Sequence, residues 1–210
     1  MRISRENLRL YAVTDRRWLR GRTLCEQIGQ AILGGVTCVQ LREKDLKPED
    51  FLREAAEVKA LCMKYGVPLI INDSAEIALR AGADGVHVGQ KDQNAAELRK
   101  AAGDRLIIGV SAATPEEAVR AEHDGADYIG CGAVFSTSTK TNTRPVSREL
   151  LSEICASVQI PVVAIGGITE ENAGLLKGTG IAGIAVVSAI FAQENIREAA
   201  ARLNRIGVWK

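Results

Sequence analysis

This chain of 210 residues lacks a charge excess, a membrane-length apolar run and any cysteine pairing pattern. Its 27 Lys and Arg almost cancel its 26 Asp and Glu, leaving +1. That balance offers no footprint for nucleic acid and no attraction to an anionic membrane. The most apolar stretch, IAGIAVVSAIFA at 181–192, falls short of the roughly 18 residues a bilayer span needs. The start, MRISRENLRLY, has no apolar signal core. Five cysteines (Cys25, Cys38, Cys62, Cys131 and Cys155) are odd in number and form no CxxC. They argue against a disulfide framework and a zinc site, and are expected to be reduced packing residues of a cytoplasmic protein. No GxGxxG follows the first apolar run, where the chain reads VTDRRWLRG; this lowers a dinucleotide-binding reading.

What the chain does have is rhythm. Eight short apolar runs, LRLYAV, VTCVQL, VPLIIN, DGVHVG, RLIIGV, YIGCGAVF, PVVAIG and GIAVVS, alternate with helix-like segments. The clearest helix is PEDFLREAAEVKALCMKYG, with Phe51, Leu52, Ala55, Val58, Leu61, Cys62 and Tyr65 on one stripe, Pro48 in its first turn and Gly66 at its stop. Thr114 to Glu117 reads as a capping box, and Thr169 to Asn172 as a looser one. Eight alternations with strands buried on both faces suit an α/β fold, a closed (β/α)8 TIM barrel spanning residues 1–210 as one domain. An open doubly wound sheet is the alternative.

Barrel enzymes carry their chemistry at the C-terminal ends of the strands. Every run here ends in polar or glycine residues: Thr14 and Asp15; Gln40, Arg42, Glu43 and Lys44; Asn72 and Asp73; His87, Gln90 and Asp92; Ser111; the segment Ser136 to Lys140; Gly166 and Gly167; and Ser188. Strand alternation sends Gln40, Arg42 and Lys44 one way and Val39, Leu41 and Glu43 the other. Two cations aimed inward call for an anionic ligand, or else for acidic partners in a structural network. Asp73 and Asp92 end neighbouring strands and suit a hard cation with phosphate oxygens, although Asp73 could instead cap a helix and Asp92 be a solvated loop acid. Gly166, Gly167 and Ser188 stand where barrels often hold a phosphate through backbone N–H groups, a role glycine shares with purely steric ones. The hydroxyls and cations of FSTSTKTNTR, 135–144, are equally suited to an anion. His87 fits a structural role as well as an acid or base. His123 reads as a surface helix end.

Taken together, QLREK (40–44), IIND (70–73), HVGQKD (87–92), GVS (109–111), STSTK (136–140), AIGGI (164–168) and AVVSAI (185–190) resemble thiamine phosphate synthases, from about Leu10 to Ile190. The resemblance implies a (β/α)8 transferase that joins a hydroxymethylpyrimidine pyrophosphate to a thiazole phosphate and releases pyrophosphate. It implies Mg2+ on Asp73 and Asp92, and pyrophosphate contacts from Arg42, Lys44, Asn72 and Lys140. Gln40 and Ser111 would face the pyrimidine, Thr137 and Thr139 the thiazole phosphate, with Gly167, Val187 and Ser188 as its backbone cradle. Lys140, Arg42 and Ser111 would carry the chemistry. The loop departs from the family pattern at Ser136, Ser138 and the following TNTRP, which bears on Arg144 and on the loop's stiffness.

A thiazole nitrogen is a neutral nucleophile, and no proton must leave when it is alkylated, so the missing Ser/His/Asp or Cys/His set is consistent. The competing expectations are a thiazole tautomerase of the same fold, using a histidine near the position of Ala133; a sugar-phosphate isomerase or epimerase with His87 or Asp15 as base; and a non-catalytic sensor of thiamine phosphate. Partners are small molecules, without nucleic acid or membrane, and a homo-oligomer is left open. Trp18 and Trp209 are candidate interface or lid residues.

Overall fold

The computed structural model describes residues 3–90, 92–137 and 145–207. Each of the eight apolar runs contributes a strand: β1 Leu10–Val13, β2 Cys38–Leu41, β3 Leu69–Asn72, β4 Gly85–Val88, β5 Ile107–Ala112, β6 Tyr128–Cys131, β7 Val162–Ile165 and β8 Gly183–Val186. They pair in parallel in chain order, and β8 returns to β1 to close a barrel. The open-sheet alternative is thereby excluded.

Around the barrel lie α1 Leu24–Leu33, α2 Pro48–Tyr65, α3 Ala75–Arg80, α4 Ala95–Ala102, α5 Pro115–His123, α6 Arg148–Ser157, α7 Ser188–Phe191 and α8 Ile196–Ile206. Side chains such as Val39, Leu41, Leu69 and Ile71 fill the shell between strands and helices; each removes about 1.5–3 kcal/mol worth of apolar surface from water. Tyr11, Val13, Cys38, Ile70, Ile107, Tyr128 and Val163 fill the barrel itself.

Helix α2 begins at Pro48 and ends at Gly66, whose φ of 67° takes the left-handed turn there. Phe51, Ala55, Val58 and Cys62 are buried as the stripe requires. Tyr65 is not: at the last position of the helix it is 39% exposed. At α5 the capping is partial. Thr114 accepts from the Glu117 N–H, but the Glu117 carboxylate takes the N–H of Ala113 rather than that of Thr114. The complete capping box belongs to Thr23 and Glu26 at the start of α1. All five cysteines are unpaired, and His123 ends α5 at the surface with a side chain 87% exposed.

The alternation of strand and helix fails once. Between β7 and β8 only a 3-10 turn, Ala173–Leu176, appears. Asn172 spends its side chain on the Thr169 N–H at 2.8 Å and the Gly167 carbonyl at 2.9 Å instead of starting a longer helix. Arg148 of α6 closes the gap by donating to the carbonyls of Leu175 and Lys177.

Two acids fasten the N-terminal end of the barrel. Asp84 accepts the Leu69 N–H at 2.8 Å and takes Lys59 of α2 at 2.7 Å. Asp127 accepts the Ile108 N–H at 2.8 Å and takes Arg99 of α4. Each ties two strands to a helix at the end opposite the polar mouths.

Candidate active site

The C-terminal ends of the strands surround a cavity of ≈340 Å³. Gln40, Arg42, Asn72, Ser111, Thr137, Gly167, Val187 and Ser188 all line it. Strand parity accounts for Gln40, which is buried inside the barrel, whereas Leu41 packs outward. Parity does not carry as far as Lys44, because β2 ends at Leu41. Lys44 lies outside the cavity wall and acts on Asp73 instead, lowering that acid's proton affinity. Among the described residues neither Arg42 nor Lys44 forms a contact ion pair; each acts on an acid only at longer range, Arg42 on Asp15 and Lys44 on Asp73. Glu43 between them is the one engaged, with Arg16 at 2.8 Å. The expected loop residues Thr139, Lys140 and Arg144, like Trp209, lie outside the described residues.

Asp73 does not cap the following helix; Ser74 does, accepting from the Ile77 N–H. Asp73 instead takes a left-handed φ of 63°, uncommon for a residue other than glycine. Its N–H is held by the His87 carbonyl at 2.8 Å, which keeps the strained residue in place. Although Asp73 is exposed at the surface, partial desolvation by the surrounding loops, and then the nearby Asp92 carboxylate, raise its proton affinity above the usual aspartate value. Asp92 is an exposed residue fixed by the Gly89 N–H at 2.7 Å. Two repelling carboxylates on neighbouring loops fit a divalent cation that relieves their mutual charge. Among the described residues no group of three or more His, Cys, Asp or Glu could enclose a metal. A cation here would therefore complete its shell with water and ligand oxygens, as Mg2+ does.

Across the mouth, Gly166 and Gly167 adopt φ of 106° and 63°. A Cβ on Gly167 would meet the Ser136 carbonyl oxygen at 2.3 Å, so glycine is required by the close approach of the β6 loop. The Phe135 N–H donates to the Gly166 carbonyl at 3.0 Å, joining the loops after β6 and β7.

Two contributors, Tyr11 and Tyr128, are invisible to strand-end reasoning, and they join residues that it did single out. Tyr11 and Tyr128 meet inside the barrel with hydroxyls 2.9 Å apart. Gln40 donates to Tyr11 at 2.9 Å, and His87 lies between Tyr128 and Ser111, 3.0 Å from each. Thr14 is wholly buried and accepts the Arg42 N–H at 3.0 Å, fixing the start of the cationic segment. Gln90 supports the Ser111 carbonyl at 2.6 Å and is itself held by Arg120 at 2.7 Å. The one sequence signal for the tyrosines is their inward parity in LRLYAV and YIGCGAVF.

Asp15 is occupied by Arg17, whose side chain and N–H hold its proton affinity below the usual value. That arrangement makes it a poor base. Ala133, the residue near which the tautomerase expectation sets a histidine, lines the cavity. No described helix is long and apolar enough to cross a membrane.

Comparison with known proteins agrees with this geometry. The family model described as thiamine monophosphate synthase matches residues 10–190. A thiamine-phosphate synthase of Ruminiclostridium cellulolyticum is 56% identical over 201 residues, covering 96% of each chain. One from Clostridium tetani is 50% identical over 194 residues, covering 92% of this chain and 93% of its own. The solved thiamine phosphate pyrophosphorylase of Pyrococcus furiosus superposes with a TM-score of 0.89 at 38% identity, over 96% of both chains. A barrel matched over nearly its whole length in both sequence and backbone belongs, with these transferases, to the thiamine monophosphate synthase family.

Proposed function

We propose that the chain joins 4-amino-2-methyl-5-hydroxymethylpyrimidine pyrophosphate to 4-methyl-5-hydroxyethylthiazole phosphate, giving thiamine phosphate and pyrophosphate. The observation that carries this reading is the placement of two anion-suited regions on one ≈340 Å³ cavity. On one side Arg42 and Asn72 line it, while Lys44, Asp73 and Asp92 lie beyond this lining and are linked electrostatically through Asp73. On the other are the backbone groups of Gly167, Val187 and Ser188 together with Thr137. The pyrophosphate belongs to the first region and the thiazole phosphate to the second; by family resemblance Lys140 would contact the pyrophosphate and Thr139 the thiazole phosphate.

Gln40 and Ser111 orient the pyrimidine between them. Mg2+, held by Asp73 and Asp92, would neutralise charge on the departing pyrophosphate. Arg42, Lys44 and Lys140 add positive charge where negative charge develops. The apolar wall of Val13, Val163, Ile165 and Val186 limits water around the methylene carbon. The amino-substituted ring can share positive charge at that carbon, so the displacement is dissociative. The thiazole nitrogen needs no base, and none is required of His87 or Asp15.

The test is one incubation of the chain with both substrates and Mg2+, followed by assay of pyrophosphate and thiamine phosphate. Formation of both in equal amounts, abolished by omitting either substrate, supports the reading. Thiazole isomerisation alone, product binding without turnover, or turnover only of a sugar phosphate supplied in a parallel incubation would replace it with one of its rivals.

A further inference from the structure

Beneath the cavity, Gln40 and Ser111 are the two ends of one hydrogen-bonded chain. Gln40 Nε2 donates to the Tyr11 hydroxyl at 2.9 Å, and that hydroxyl lies 2.9 Å from the hydroxyl of Tyr128. The Tyr128 hydroxyl is 3.0 Å from His87 Nδ1, and His87 Nε2 is 3.0 Å from Ser111 Oγ. Neighbouring strands make room for it. A Cβ on Gly109 would come within 2.1 Å of the Tyr128 ring, and one on Gly130 within 2.9 Å of the His87 ring. Two strands have thus given up side chains to admit these rings.

Counting protons restricts what the chain can do. Both phenols are buried, which holds them protonated well above the usual tyrosine value, so each donates once. A neutral imidazole has one donor and one acceptor. With one proton per link, the links run in one direction or all in the other. When Gln40 donates to Tyr11, Tyr11 donates to Tyr128 and Tyr128 to Nδ1. The Nε2–H then donates to Ser111 Oγ. Ser111 is left with its own proton to give to the cavity, and Gln40 with Oε1 to accept from it. Reversal would turn the Gln40 amide, move the imidazole proton to Nδ1 and consume the Ser111 proton, so both ends would change character together.

We propose that His87 is a positioning residue that couples Gln40 to Ser111, so that the pair presents an acceptor and a donor to the pyrimidine as one set. This rests on the proposed function, in which the pyrimidine lies between them. An aminopyrimidine matches the set, with amine N–H groups for Gln40 Oε1 and a ring-nitrogen lone pair for the Ser111 hydroxyl. Its oxo counterpart carries a carbonyl in place of the amine and an N–H in place of one lone pair. It fits only if every link reverses at once, or if buried polar groups go unpaired, which sites of this kind reject strongly.

The first test is independent of catalysis. The chain has 2 histidines, so a nitrogen-15 spectrum of the histidine-labelled full chain at neutral pH is readily assigned with the aid of His123→Gln. Proton on Nε2 and none on Nδ1 is the expected result for His87. A proton on Nδ1, or on both nitrogens, overturns the proposal. The second test compares kcat/KM for the amino and oxo pyrimidine pyrophosphates. Tyr128→Phe removes one hydroxyl from the chain, and the amino-over-oxo preference should fall by about 10- to 100-fold. KM for the thiazole phosphate should stay within about twofold, a split that a general loss of structure would not give. An unchanged preference in folded Tyr128→Phe refutes the coupling. Should that variant not fold, the tautomer measurement decides alone. A parent chain that makes no thiamine phosphate overturns the functional reading instead, and that failure is separate because the tautomer is read without turnover.

Discussion

Glu43 receives the Arg16 guanidinium at 2.8 Å, and Glu54 shares the same guanidinium from the other side. Only 3% of the Glu43 side chain is exposed. One oxygen of each carboxylate, Glu43 Oε1 and Glu54 Oε2, is buried without a hydrogen-bond partner among the described residues. A proton shared between the two acids would supply the donor that both oxygens lack. Burial, with the adjacent Glu54 adding and Arg16 opposing, pushes Glu43 up to about 7.

The folded chain therefore keeps a proton that the unfolded chain releases near the model-peptide value of 4.5. Stability from this group is fully present below that value and is lost as pH rises through about 7. Urea unfolding should show a loss of about 2–3 kcal/mol between roughly pH 5 and pH 8. Glu43→Gln should flatten the slope. A slope that persists in the variant, or rises with pH, would show that another group is responsible.

Replacement of either Asp73 or Asp92 by Asn should lower turnover by roughly 100-fold or more, because a neutral amide weakens the hold on a cation at the leaving group. Circular dichroism should remain that of the parent, since neither side chain lies in the packed core. Exhaustive chelation of the parent should have the same effect and be reversed by Mg2+. Full activity after chelation would remove the metal from the scheme.

Lys140→Ala should slow the chemical step by on the order of 100- to 1000-fold, the scale of losing one preorganised stabiliser of developing charge. Single-turnover measurements at saturating substrate separate this from binding. A normal chemical rate with weaker binding would make Lys140 a tether for substrate and nothing more.

At the opposite end, Asp127→Ala should cost about 2–3 kcal/mol of stability, since it strands the Ile108 N–H and one face of Arg99. For a domain of this size that is a fall in Tm of several degrees. The folded variant should retain kcat/KM within about twofold, a separation of base from mouth that fits barrel enzymes. A large loss of activity at temperatures where the variant is folded would contradict that separation.

Local pattern carried much of this arrangement. Eight apolar runs became eight strands because each is short, β-branched and bounded by turns, and Gln40 faces inward because side chains alternate along β2. Lys44 broke the same rule where the strand ended. Relationships across the barrel could not be read in this way. Tyr11 and Tyr128 are 117 residues apart in sequence, and no local periodicity registers a contact closed by the curvature of the whole sheet. The segment after β7 misled in another way. Thr169 and Asn172 resemble a helix start, but Asn172 is committed to the Gly167 turn, and Gly174 and Gly178 disfavour a longer helix beyond it.

The wall between β7 and β8 has an uneven consequence for motion. Its turn at Ala173–Leu176 is short, and the carbonyls of Leu175, Lys177, Gly180 and Ile181 are held by the side chains of Arg148 and Arg5 rather than by a continuous helical ladder. Backbone amides there should exchange with deuterium sooner than those of the flanking strands, as in a locally opening unit. Asn172 ties this stretch to the Gly167 carbonyl at the cavity rim. Filling the rim with a phosphate would then slow exchange on the outer surface of the barrel, making this one stave report occupancy of the interior.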